Sequence, residues 1–564
     1  MNIEDQYQNI ANNINDAQER GADIVSFIDS MRDNLENSEI SSTDIHRERL
    51  DSHINMISNR LSLNNESYTI QLLTFVGYLQ RYIAETYGSV NNFLRDNNIT
   101  VGQTFADISE EVGYSIHWMN IEKKSLAHFQ YYIDNYLEDG GTFILEDDYE
   151  FDGMAEISGK SNITIDGNGH LIHQVGYATT TIKFSGCTSI TLKDLDLYGD
   201  PDSYVPQLTP APPENEAKGV YILAVDGTNL IQNVNFYNQG TAGIWTMNGD
   251  NFTIDNCIFD SSGVDVGYGE FWNTGIRGYQ SDNQNWEIKN CTFTGMVFGI
   301  LPYVENNNFS IHNNIFRDIP GQHGLYVPRC SDYEVYENVF ENIASVGMKW
   351  QFNEDEPSGG QNISIHDNVL THTGAGGELG IIVGHAGAGP LPGVLWENVD
   401  ICNNTVRNYG YGIRMTYCSG VNMYDNNIYD CHNAYGIQAS FVSGSINNNY
   451  VENAFWSGIL ADVLGGEHLS IEDNNFVNTA METNTSIPFY LRTCAFLTSN
   501  QAALDPSLPD TTCDFNRNDI EKGSATPAFG LYQHPILILN NFHDNRMPNP
   551  ALDYAVSKSG NTYY

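Results

Sequence analysis

Asn251-Phe252-Thr253-Ile254-Asp255-Asn256-Cys257-Ile258-Phe259, Asn308-Phe309-Ser310-Ile311-His312-Asn313-Asn314-Ile315-Phe316 and Asn362-Ile363-Ser364-Ile365-His366-Asp367-Asn368-Val369-Leu370 are copies of one phrase. Apolar residues alternate over a short run, an Asn-containing turn follows, and a second apolar pair comes next. Each phrase is followed by a Gly-apolar step: Gly275-Ile276-Arg277, Gly324-Leu325-Tyr326 and Gly380-Ile381-Ile382. Alternation of this kind marks strands with one buried face. With the turn Asn as marker, the series runs Asn233, Asn256, Asn290, Asn314, Asn338, Asn368, Asn404, Asn427, Asn449 and Asn475. The spacing returns to about 23 residues with insertions between, which is the signature of a solenoid. One coil cannot bury its own inward side chains; stacked neighbours bury them. The predicted fold is mainly β, a parallel β-helix preceded by an α-helical region.

Working back from the repeat, Ser125 to Asp134 reads as an amphipathic helix, and Asp139-Gly140-Gly141 leads into the strand Thr142-Phe143-Ile144-Leu145. A helix at this point would cover the open strand edge of the first coil. Further upstream, Ile3, Ile10, Ala17, Ile24 and Met31 alternate with Tyr7, Ile14, Gly21, Ile28 and Leu35 at heptad spacing. Isoleucine at both core positions favours trimers or higher forms over dimers, so residues 1–37 are expected to form a trimeric coiled coil. Residues 38–122 are expected to be a helical neck. The β-helix is assigned to residues 123–485. Residues 486–564 are assigned to the last coils and a C-terminal cap with trimer contacts.

Composition removes several functional classes. Of 564 residues, 25 are Lys or Arg and 71 are Asp or Glu, for a formal charge of −46. Nucleic acid and anionic membrane should be repelled. With 41% hydrophobic residues, 33 Tyr and 26 Phe, the chain is not disordered by composition. No charged-then-apolar leader and no long apolar run is visible, so a protein soluble as made, without membrane insertion, is expected. The nine cysteines show no metal spacing, and Cys257 and Cys291 share one repeat position; free, buried, stacked thiols are expected.

Strand alternation places the candidate site. The residue after each Gly-apolar step points outward, giving the row Tyr221, Trp245, Arg277, Leu301, Tyr326, Lys349, Ile382, Arg414, Gln438 and Leu460. A second outward row contains Tyr279, Tyr303, Pro328, Gln351, Thr416, Ser440 and Asp462. Aromatic faces stack on sugar rings, and Arg or Lys meets carboxylates or sulfates. Substrate binding is therefore assigned to Trp245, Arg277, Tyr279, Tyr303, Tyr326, Lys349 and Arg414. The insertions flank the same face and bring Asp265, Glu270, Asp355, Glu378 and His385. A glycosidase needs two carboxyl groups about the scissile bond, for which Asp265, Glu270, Asp355 and Glu378 are the candidates. A uronate lyase needs a cation for the sugar carboxylate and a base for the adjacent C–H, for which Arg277, Lys349, His323, Tyr326 or His385 would serve.

The order cap helix, Gly-Gly strand and Ile163-Thr164-Ile165-Asp166-Gly167-Asn168-Gly169 turn resembles the start of pectate-lyase-like right-handed parallel β-helices. Gln322-His323-Gly324 is similar to the Gly-His-Gly of polygalacturonases, with Gln322 departing from it; that family's Asn-Thr-Asp and Arg-Ile-Lys signatures are missing. No calcium-binding pattern is recognisable. No cofactor is expected, with Ca2+ the one ion the resemblance leaves open. Heptad, helical neck and capped acidic β-helix together resemble a phage tailspike. That resemblance implies a homotrimeric virion component in the phage tail, attached to tail or baseplate proteins, that binds and depolymerises host cell-surface polysaccharide. A non-catalytic receptor-binding spike or adhesin and a cellular polysaccharide lyase or epimerase are the alternative readings.

Overall fold

A computed structural model describes residues 124–175, 179–200, 217–264, 273–278, 283–302, 306–328, 330–352, 360–374, 377–385, 396–464, 467–479, 495–498, 511–522, 529–531, 537–541, 545–547 and 562–563. The expected coiled coil of residues 1–37 and neck of 38–122 lie outside the described residues.

Each phrase of the repeat folds into one coil of three short strands, and every strand pairs in parallel with its counterpart in the next coil. In the first sheet Ile254, Ile288, Ile311, Val335, Ile365 and Ile401 fall in register. In the second, Phe236, Phe259, Phe293, Phe316 and Phe340 stack ring on ring at 4.5–4.8 Å. In the third, Ile244, Ile276, Ile300, Leu325, Met348, Ile381 and Ile413 form the inward column. These columns are fully or almost fully buried and belong to one continuous core. Burying an aliphatic or aromatic side chain stabilises by about 1.5–3 kcal/mol, and every coil contributes one from each sheet.

The Gly of the Gly-apolar step has a steric cause. A Cβ at Gly243 or Gly275 would lie 2.5 Å from the Cδ1 of Phe259 or Phe293. Only glycine lets the chain turn from the second sheet into the third against the phenylalanine stack.

Two asparagine ladders separate the first sheet from the second, and here the marker series needs correcting. The turn position itself, with φ near +55°, is held by Asn233, Asn256, Asn290, Asn313, Asp367, Asn403 and Asn448. The next position holds the buried ladder Asn314, Asn338, Asn368, Asn404, Asn426, Asn449, Asn474, Asn518 and Asn545. The series Asn233 to Asn475 thus mixes three positions: Asn427 and Asn475 open the strand that follows, and the ladder members there are Asn426 and Asn474. Asn368 shows the wiring: Nδ2 donates to Val335 O at 2.8 Å and to Asn404 Oδ1 at 3.0 Å. Its Oδ1 accepts from the backbone N–H of Asn338 at 3.0 Å. Cys291 occupies the ladder position one coil before Asn314, and its N–H donates to Asn314 Oδ1 at 2.9 Å. The eight described cysteines are free and buried.

At the N-terminal end the helix α1, Leu126–Asn135, is capped by Ser125, whose hydroxyl accepts from His128 N. Its buried residues Phe129 and Ile133 close the first coil, with Phe129 edge-on to Phe143 and Phe151 at 5.2 and 5.1 Å.

Candidate functional site

The third sheet carries the outward row in the predicted register. Tyr221 pairs with Trp245, Trp245 with Arg277, and Arg277 with Leu301. Tyr326 pairs with Lys349, Lys349 with Ile382, Ile382 with Arg414, Arg414 with Gln438, and Gln438 with Leu460. The expectation of a row of open aromatic faces does not hold. Tyr221, Trp245, Leu301, Tyr326 and Ile382 are all buried. Outward from the core is not the same as exposed to solvent.

The first half of the row is a closed stack of rings and cations. The Arg277 guanidinium lies 4.2 Å from the Trp245 ring centroid. Lys218 Nζ lies 4.5 Å from Trp245 and 5.2 Å from Tyr221, and Lys218 is fully buried. Cation–π contacts gain strength when desolvated. The sequence reading missed Lys218. Its signal was its place directly before a Gly-apolar step, in Lys218-Gly219-Val220. The same column continues through Ala242, Thr274, Phe298 and His323.

The second cluster joins that column to the row. His323 sits at the start of the strand His323–Tyr326 and is 4% exposed. Its Nε2 is 3.1 Å from Lys349 Nζ, one coil further on. The Lys349 ammonium lies 4.6 Å from the Tyr326 ring centroid. Phe298 completes the cluster, 5.6 Å from His323 and 5.9 Å from Tyr326, ring to ring. Burial pushes the Lys349 ammonium down from 10.5 to about 8, against the opposing charge of Glu378. Burial and then the Lys349 charge hold the His323 imidazole well below its ordinary range. At neutral pH His323 is therefore neutral, and Lys349 is a cation that discharges just above neutrality. His323 Nδ1 is buried with no hydrogen-bond partner among the described residues.

Of the predicted acids, Glu378 is exposed and accepts from Ser345 Oγ at 3.0 Å. Asp265, Glu270, Asp355, Tyr279 and Tyr303 lie outside the described residues, as does the side chain of His385. The cluster therefore brings together His323, Tyr326 and Lys349 from the predicted set. It leaves Trp245 and Arg277 in the closed stack, and Arg414 two coils beyond Lys349. Among the described residues no group of three His, Cys, Asp or Glu could hold a metal ion, and no helix is long and apolar enough to cross a membrane.

Chemically, an amine poised near pH 8 and held against a neutral imidazole can take a proton and, once charged, remain beside a developing anion.

No curated protein matches the chain. Among solved structures, a hyperthermoactive exopolygalacturonase from Thermotoga maritima shares 13% identity over 63% of this chain and 90% of its own, with a TM-score of 0.35. PfbA, a surface adhesin of Streptococcus pneumoniae, shares 14% over 60% and 91%, with a TM-score of 0.40. The Dettilon tailspike protein shares 10% over 72% and 64%, with a TM-score of 0.34. Residues 135–387 match the family model described as the right handed beta helix region, and the described strands over that span pair as the coils of a parallel β-helix.

Proposed function

We propose that the chain is a phage tailspike whose β-helix binds an acidic host surface polysaccharide and cleaves it by β-elimination. The observation that carries the chemistry is the Lys349 amine, 3.1 Å from His323 Nε2 and against the Tyr326 ring. In this reading Lys349 in its amine form takes the C–H proton adjacent to a uronate carboxylate. The resulting ammonium donates to His323 Nε2 and stays beside the enediolate charge that develops, where a fixed cation in a dry site acts most strongly. The elimination then breaks the bond to the leaving sugar oxygen and forms the ring double bond, and the leaving oxygen takes up the proton from the Lys349 ammonium, which returns the amine. The tailspike assignment is supported by the trimer-type heptad and neck that precede the coil in sequence.

The test is incubation of the purified chain with capsule, lipopolysaccharide or exopolysaccharide from a susceptible cell. New reducing ends together with ultraviolet absorbance of an unsaturated uronate are expected, with a rate that rises as Lys349 discharges through about pH 8. Lys349→Met is expected to abolish both signals. Reducing ends without the absorbance would replace elimination by hydrolysis. Binding without either would leave a receptor-binding spike.

A further inference from the structure

Along the third sheet beyond Tyr326, the two outward rows change character together, coil by coil. Lys349, Ile382 and Arg414 are in register in the first row. Gln351, Gly384 and Thr416 are in register beside them in the second. The outer coils thus present a cation with a hydrogen-bonding side chain: Lys349 with Gln351, and Arg414 with Thr416. The middle coil presents Ile382, 2% exposed, and a glycine with no side chain at all.

The far coil has polar groups without protein partners. The Arg414 guanidinium is largely buried, and its Nε has no hydrogen-bond partner among the described residues. The Thr416 hydroxyl, in a residue 4% exposed, has none either. Buried donors left unmade are rare because each carries its desolvation cost. A guanidinium and a hydroxyl two residues apart on one strand offer donors to the oxygens of an acid group, which Arg can take with two parallel hydrogen bonds.

We infer that Arg414 and Thr416 form an anion-accepting subsite two coils beyond Lys349, so that the third sheet selects a glycan in which an acidic residue alternates with an uncharged one. Two coils span about 10 Å at the usual strand separation, and an extended pyranose chain lying along the stack advances by close to one coil per residue. A polymer with an acid on every residue would place a charge against Ile382, where nothing offsets its desolvation. A neutral polymer would leave Arg414 unmet. The inference rests on the reading of the third sheet as the polysaccharide face, but not on cleavage there.

The test is affinity electrophoresis of the full chain through gels containing one of four probes. Hyaluronan carries a carboxylate on every second residue, and κ-carrageenan a sulfate on every second residue. Alginate carries a carboxylate on every residue, and dextran has no charge. Retardation by an alternating polymer, stronger than by alginate and absent with dextran, is expected; which alternating polymer acts tells carboxylate from sulfate. Arg414→Gln should weaken that retardation about tenfold, the effect of losing one charge-assisted contact. Thr416→Val should weaken it less, and Ile382→Lys should move the preference towards alginate. Equal or stronger retardation by alginate, retardation by dextran, retardation by none, or an Arg414→Gln chain that runs like the parent would overturn the inference. Retardation without unsaturated product keeps the subsite and removes the cleavage. Product formation that Arg414→Gln leaves unchanged keeps the cleavage and removes the subsite.

Discussion

Replacing Lys349 with Met should make the protein more stable at neutral pH, and the gain should disappear in alkali. The Lys349 ammonium is held at about 8 against an ordinary 10.5, mainly because it is buried. That gap corresponds to about 3 kcal/mol carried by the charged form below pH 8. The sign follows from linkage. Between about pH 8 and 10.5 the unfolded chain binds a proton that the folded chain does not, so parental stability rises with pH across that window. Below it the full burial cost is present. Met removes the charge but keeps an unbranched chain of similar length, so packing is largely retained. Against the gain stands the lost contact with the Tyr326 ring, about 1 kcal/mol. The net expectation is about 2 kcal/mol of added stability at pH 7. Urea unfolding of both chains at pH 7 and pH 10, followed by intrinsic fluorescence, reads the difference directly. A Lys349→Met chain less stable than the parent at pH 7 would refute this account of the site, as would a difference that does not change with pH.

The buried ladder should matter more than the exposed one. Asn368→Ala leaves the Asn338 N–H without its acceptor in a fully buried position and opens a small cavity, for a cost of about 2–4 kcal/mol. Asn256→Ala removes an exposed contact to Asn233 and should cost about 1 kcal/mol, chiefly from its positive φ; equal midpoint shifts for the two variants would contradict the ladder's role. The thiols of Cys418 and Cys431 are pushed up to about 12 by burial. They should not react with a thiol reagent at pH 8 until the chain is unfolded, and prompt labelling of the native protein would contradict their burial.

The repeat was legible because a solenoid converts sequence period into spatial register. Once Ile254, Ile288 and Ile311 are recognised as equivalents, their stacking follows, and so does the outward row that includes Lys349 and Arg414. The asparagine turn was harder to phase because two adjacent positions both favour Asn for different reasons. One adopts positive φ, as Asn403 does, and the next is buried and donates along the stack, as Asn404 does. Where the turn residue is Asp425 and the ladder residue Asn426 is followed by Asn427, composition cannot say which Asn belongs to the ladder. Exposure was not legible either. Alternation assigns a side chain to the inner or outer face of its own strand, and carries no information about what lies over that face. Trp245 and Tyr326 are outward and buried at once. The same limit explains why the central contact was not foreseen. His323 precedes its glycine and Lys349 follows the next one by two residues, so they belong to different columns. They meet because the glycine corner brings the end of one column beside the row of the following coil. Chemistry in this fold is thus set at the corner as much as along the row. The corner column from Lys218 to His323, which puts one cation and one imidazole into buried places, is where a search for function in related repeats should begin.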